Sequence, residues 1–172
     1  GRYLALCRRL GSGVTRPERY PGSPALARAV LGDEASLALW ERDPATAESL
    51  RTNLRGDAQA RIEEADGLAG VAGTVGTAEN AGDELVVLID PPWTQKTDWT
   101  AVPDALARVV NATSHACFVM WYPVKSLTRP NAMFARLAAA GVPATIAELI
   151  TTPLEHQRQR LNGSGVLLVR PP

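Results

Sequence analysis

The chain has 172 residues, 45% of them hydrophobic and 21% charged, with 18 basic and 18 acidic side chains that balance to zero. These values suit one globular domain with a substantial core and argue against disorder. No apolar run is long enough to span a bilayer, and Gly1-Arg2-Tyr3-Leu4 lacks the apolar core of a secretory signal. A protein that grips many phosphates usually carries a positive excess. Nucleic-acid contacts would therefore rest on local patches: Arg8/Arg9, Arg16/Arg19, Arg158/Arg160 and Lys125/Arg129. Each patch alone reads as solvated surface. Cys7 and Cys117 form no C-x-x-C pair, and only His115 and His156 accompany them, so no zinc site is expected. Cys117 reads as core packing, and the cysteine usage suits a reducing, cytoplasmic compartment.

In chain order, residues 1–22 read as irregular, broken by Gly11-Ser12-Gly13, Pro17 and Pro21. Ser23-Pro24 opens a helix to Leu31, with Ser23 as its N-cap. Leu37 to Trp40 reads as a buried strand, and Asp43-Pro44 caps a helix to about Leu54. Ala60 to Ala65 contains a strand, and Leu85 to Ile89 is the clearest buried strand. A helix follows over Asp98 to Val110, with Pro103 near its first turn. Ala116 to Tyr122 is a strand, Leu127 to Ala140 a helix stopped by Gly141, and Thr145 to Ile150 and Val166 to Val169 are strands. Alternation of this kind predicts an α/β fold, a mainly parallel sheet with helices on both faces. In such sheets ligands bind beyond the carboxyl ends of the strands. Those ends carry Glu41, Asp66, Asp90 and the Tyr122-Pro123 turn.

Asp90-Pro91-Pro92-Trp93 directly follows the most apolar strand. An exocyclic amine on adenine or cytosine is a poor nucleophile, because its lone pair is delocalised into the ring. A carboxylate and an adjacent carbonyl, here Asp90 and Pro91, can accept its two N–H groups and favour a pyramidal nitrogen facing a sulfonium methyl. The prolines hold the backbone rigid, and Trp93 offers a face on which an extruded base can stack. The plain alternative is a strand that ends in a turn. Glu41 can accept from two ribose hydroxyls, or be an exposed carboxylate at a loop start. Asp66-Gly67 can take an adenine amine, or be an ordinary Asp-Gly turn. Three acidic strand ends in succession favour the joint functional reading. Tyr20-Pro21-Gly22-Ser23-Pro24 could line a cofactor site. Asn162-Gly163-Ser164-Gly165 reads as a hairpin loop or a backbone contact to substrate. Neither His115 nor His156 has a catalytic context.

Taken together, Tyr-Pro-Gly-Ser-Pro, Glu41, Ala65-Asp66-Gly67, Leu88-Ile89-Asp90-Pro91-Pro92, Lys96-Thr97-Asp98, Trp121-Tyr122-Pro123-Val124 and Gly163-Ser164-Gly165 resemble the bacterial RlmJ family of 23S ribosomal RNA adenine-N6 methyltransferases. The resemblance covers nearly all of the chain. It implies a Rossmann-like class I methyltransferase that uses S-adenosyl-L-methionine, acts on 23S ribosomal RNA and needs no metal; no membrane partner and a monomer are further expectations. The resemblance places cofactor contacts at Ser23, Glu41, Asp66 and Gly67 and the catalytic aspartate at Asp90, which also lies beside the cofactor methyl; Pro91 and Trp93 join the catalytic set from the reading of the residues above. The family usually has tyrosine where Trp93 stands, and its segment before Tyr20 is longer and helical. Gly1-Arg2-Tyr3 matches the tail of the family's glycine-rich loop. The expectation is thus a single methyltransferase domain over residues 1–172, lacking the first strand and most of that loop. Amine methylation of DNA (adenine N6 or cytosine N4) or of a protein glutamine, and a catalytically impaired RNA-binding fragment, are the alternatives.

Overall fold

The computed structural model describes residues 1–11, 20–81, 84–155 and 161–171. Arg16, Pro17, Arg19, His156, Arg158 and Arg160 lie outside the described residues. The chain forms two compact units, Gly1–Gly70 and Val71–Pro172, each built on its own sheet.

The first unit opens with a helix, α1 (Arg2–Leu10), where the sequence reading expected irregular chain. Tyr3, Cys7 and Leu10 recur at helical spacing, and Cys7 is buried. Arg8 and Arg9 stand in the last turn, where cations suit the helix dipole. The glycines read as breakers begin only after it. Helix α2 (Ser23–Leu31) has the expected span, but Gly22 is its N-cap and Ser23 is the first helical residue. Strand β1 (Leu37–Glu41), helix α3 (Pro44–Asn53) and strand β2 (Ala60–Glu64) follow. Asp43 caps α3 by accepting from the Thr46 amide at 2.8 Å, as its sequence signature implies. The two strands pair in parallel from Leu37↔Ala60 to Glu41↔Glu64, so α3 is the crossover.

One side chain secures this unit. Arg28 of α2 donates Nε and Nη2 to the Asp57 carboxylate at 2.7 and 3.1 Å. Its Nη1 donates to the carbonyls of Gly32 and Ala35. A guanidinium shared in this way ties α2 to the loops before β1 and β2, with geometry an ammonium could not match.

Helix α4 (Gly67–Ala81) has no counterpart in the sequence reading. Gly70, Gly73 and Gly76 lower its propensity, yet Gly70 has a packing reason. A Cβ there would stand 2.3 Å from Nε1 of Trp40, so only glycine admits that ring.

The second unit contains β3 (Val86–Ile89), α5 (Asp98–Ala112), β4 (Cys117–Val124), α6 (Thr128–Ala139), β5 (Thr145–Ile150) and β6 (Gly163–Val169). Its strand order is β3-β4-β6-β5. The parallel expectation holds for β3 with β4, as for β1 with β2, while β6 runs antiparallel to both of its neighbours. Pro103 lies in the second turn of α5, and the helix continues through it. The core is centred on β4: Phe118, Met120, Tyr122 and Val124 alternate along one face, and all are fully buried. Val102 and Leu106 of α5 and Met133 and Leu137 of α6 are also buried. Strand β3 is covered on one face only: Val87 and Ile89 are buried, but Val86 and Leu88 are exposed.

Two sequence expectations are corrected in this sheet. Tyr122-Pro123 does not end a strand; β4 runs on to Val124, with Pro123 opposite Ser164. Gly163-Ser164-Gly165 is not a loop but the start of β6, paired on both sides. Its glycines make room: a Cβ on Gly165 would stand 2.0 Å from the Tyr122 ring, and one on Gly163 would stand 2.4 Å from the Leu149 carbonyl. Buried Asn162 sets the entry to β6. Its amide donates to the Val124 carbonyl, its carbonyl accepts from the Thr151 and Thr152 amides, and its Nδ2 donates to the Pro153 carbonyl at 2.9 Å.

Gly165→Ala should therefore destabilise the protein by about 1–3 kcal/mol through overpacking against Tyr122. Gly73→Ala, where an added Cβ meets nothing within 4 Å, should stabilise it by about 0.5–1 kcal/mol. Urea unfolding of the two variants checks both signs.

Candidate active site

Asp90 is the first residue beyond β3. Its carboxyl is raised above the usual carboxylate range by desolvation alone. Asp90 is nonetheless solvent-exposed, and among the described residues no hydrogen bond or ion pair engages its carboxyl. Pro91 and Pro92 follow, with φ locked by their rings and no N–H to offer. The chain then turns at Trp93, whose φ of 53° is in the left-handed region.

Trp93 does not present the open face expected from the sequence. It is 7% exposed, its Nε1 donates to the Trp121 carbonyl at 3.0 Å, and its ring lies 4.6 Å, centroid to centroid, from that of Trp99. A base has no free indole face to stack on there. Trp99, near the start of α5, is the neighbour the sequence reading missed. Its Nε1 is buried with no hydrogen-bond partner among the described residues, and the Arg129 guanidinium lies 6.0 Å from its ring centroid, within cation–π range. A second tryptophan six positions beyond Trp93 was the available signal. Lys96 and Lys125, both exposed, follow the ends of β3 and β4.

On the first unit, Glu41 and Asp66 occupy the same carboxyl edge of the parallel pair, because Glu41 is opposite Glu64 and the Ala65 amide donates to the Glu41 carbonyl. Each spends one oxygen locally. Glu41 Oε1 accepts from the Asp43 amide and Asp66 Oδ1 from the Leu68 amide, both at 2.8 Å. Among the described residues the other oxygen of each accepts no hydrogen bond. Gly67 begins α4, and a Cβ there would approach Trp40 Cβ to 3.2 Å. Ser23 is exposed at the head of α2. The acidic strand ends of each unit are thus where the sequence put them.

A family model described as "Ribosomal RNA large subunit methyltransferase D, RlmJ" matches residues 1–172. "Ribosomal RNA large subunit methyltransferase J" of Escherichia coli K12 is 32% identical over 154 residues, which are 89% of this chain. The chain spans only 54% of that relative's own length. Among solved structures, protein LPL1258 of Legionella pneumophila superposes with a TM-score of 0.85 at 21% identity, over 99% of this chain and 61% of that one. Fibrillarin of Aeropyrum pernix, solved with natively bound S-adenosyl-L-methionine, gives a TM-score of 0.55 at 13% identity, over 86% of this chain and 61% of that one. The fold is Rossmann-like, of the class I methyltransferase type.

Because desolvation raises Asp90, the folded state penalises its ionised form. That penalty is absent below the ordinary carboxylate pKa and sets in as pH rises through the raised one. Asp90→Asn should therefore unfold at a higher temperature than the parent at pH 7, with the difference gone below about pH 4; thermal melts at both pH values check it.

Proposed function

Since the chain belongs to the RlmJ family of ribosomal RNA large subunit methyltransferases, we propose that the protein methylates the N6 amine of an adenine in 23S ribosomal RNA, with S-adenosyl-L-methionine as the donor. The observation that carries this reading is Asp90: an acceptor carboxyl with no partner among the described residues, set beside two prolines at the end of a parallel strand.

The residues present suit an adenosine-containing donor. Among the described residues Glu41 and Asp66 each keep one carboxylate oxygen free beside one that is anchored, which matches ribose hydroxyls and an adenine amine, all of them donors. We assign Glu41 to the ribose and Asp66 with Gly67 to the adenine; Ser23 is assigned to the cofactor by family resemblance alone. When bound, S-adenosyl-L-methionine supplies a methyl group already activated by its sulfonium.

The protein's task is then positioning and fixed electrostatics. Asp90 accepts one N–H of the target amine and the Pro91 carbonyl the other, which localises the lone pair on nitrogen. With the donor bound, the amine nitrogen would take the methyl group, the donor would leave as a neutral thioether, and the proton given up by the amine would pass to solvent. An acceptor at Asp90 stabilises the positive charge that develops on nitrogen. Arg129, Lys125 and Lys96 supply cations for the RNA backbone where net charge supplies none.

In a strain that lacks the gene, one adenine of 23S ribosomal RNA should lose its methyl group. The parent gene should restore it and Asp90→Ala should not; an unchanged methylation map would defeat the assignment. In purified protein, Asp90→Ala should lower turnover by roughly 10²–10³ with cofactor affinity little changed. Glu41→Ala should instead weaken cofactor binding by about 1.5–3 kcal/mol, measured by calorimetry.

A further inference from the structure

The ladder between β3 and β4 has a defect that the sequence builds in. The last paired residues are Ile89↔Met120, and the Cys117 amide donates to the Leu85 carbonyl at 2.9 Å. In a parallel pair this pattern returns every second residue. The carbonyls of Cys117, Val119 and Trp121 therefore face the amides of residues 87, 89 and 91. Residue 91 is proline and has no N–H. The Trp121 carbonyl is left facing β3 without a backbone donor, and an unpaired carbonyl inside a sheet is costly.

Trp93 supplies the missing donor. Its Nε1 reaches the Trp121 carbonyl at 3.0 Å, and it can do so because its backbone turns through φ 53°. That conformation is uncommon for a bulky residue and persists where the surroundings impose it. Trp99 packs against the ring at 4.6 Å between centroids. The stretch from Asp90 to Pro92 is thus held at both ends, at its start by the final rung of β3 and at its finish by the indole.

We infer that Trp93 is a positioning residue: its indole N–H replaces the rung that Pro91 denies to β4, and so fixes the Asp90 carboxylate and Pro91 carbonyl, rather than serving as the surface on which the substrate base stacks. The catalytic consequence rests on the methyltransferase reading; the clamp itself does not.

Two measurements separate these. In the ¹⁵N spectrum of the parent protein, the Trp93 indole proton should exchange with solvent far more slowly than that of an exposed tryptophan. Its shift should stay in place when a short adenine-containing RNA hairpin is added. Fast exchange, or a large ring-current shift on RNA addition, would overturn the clamp whether or not the protein methylates RNA. Trp93→Phe keeps an aromatic face and loses only the donor. It should lower kcat about tenfold, the equivalent of one hydrogen bond, with affinities for RNA and cofactor within about twofold. Parent-like turnover in a folded Trp93→Phe protein is what a stacking residue predicts, and it would sink the proposal.

Discussion

Every peptide group buried in a sheet must find a partner, and the structure around Asp90 follows from how that demand is met where β3 runs into two prolines. Prolines are favoured there because they fix the backbone, but the same rings remove the donors that would tie it down. An aromatic side chain that returns to the ladder resolves the conflict. The loop is consequently tied back to β4 although it lies beyond regular structure. That leaves Asp90 free to accept from something else, in surroundings that disfavour its charge. Rigid support and an uncommitted acceptor are what a preorganised site requires.

A second device recurs in both units: a missing side chain is the slot for an aromatic ring. Gly70 accommodates the Trp40 indole, and Gly165 accommodates the Tyr122 phenol. Tyr122 is fully buried, and its hydroxyl donates to Glu148 Oε1 at 2.9 Å. Burial and that carboxylate push the phenol pKa well above its ordinary value, so the group stays neutral. In each case a weak residue for the local element is retained because a distant ring demands the space.

Much of this architecture could be read from residues alone. The alternation of apolar runs with capped helices located all six strands, and Asp43 and Pro24 marked helix starts through local chemistry. The acidic strand ends were legible because polarity after an apolar run is itself a local signal. Other features depend on long-range context. Helix α4 was hidden by Gly70, Gly73 and Gly76, whose cost is visible in sequence while the ring served by Gly70 lies thirty positions earlier. Gly163 and Gly165 looked like a turn for the same reason. The burial of Trp93 was not legible, because its partner is a backbone carbonyl and backbone has no sequence identity. Helix α1 is the exception, since Tyr3, Cys7 and Leu10 carried a period that the glycines after it obscured.

Arg170 shows a different aspect of the second unit. With its backbone at φ 48°, it donates to the carbonyls of Val110, Thr113 and Ala116 and to the Thr113 hydroxyl. A cation is thereby set against the carbonyl end of α5, where the helix dipole is negative. The bond to Val110 spans 60 residues. On the ribosome, α5 and β4 emerge well before the residue that saturates their junction. The sheet also cannot close until β6 inserts between two strands already made. Such late, non-local closure slows folding. One edge of β4 therefore gains its neighbour only after the chain has been made through β6, as far as Val169.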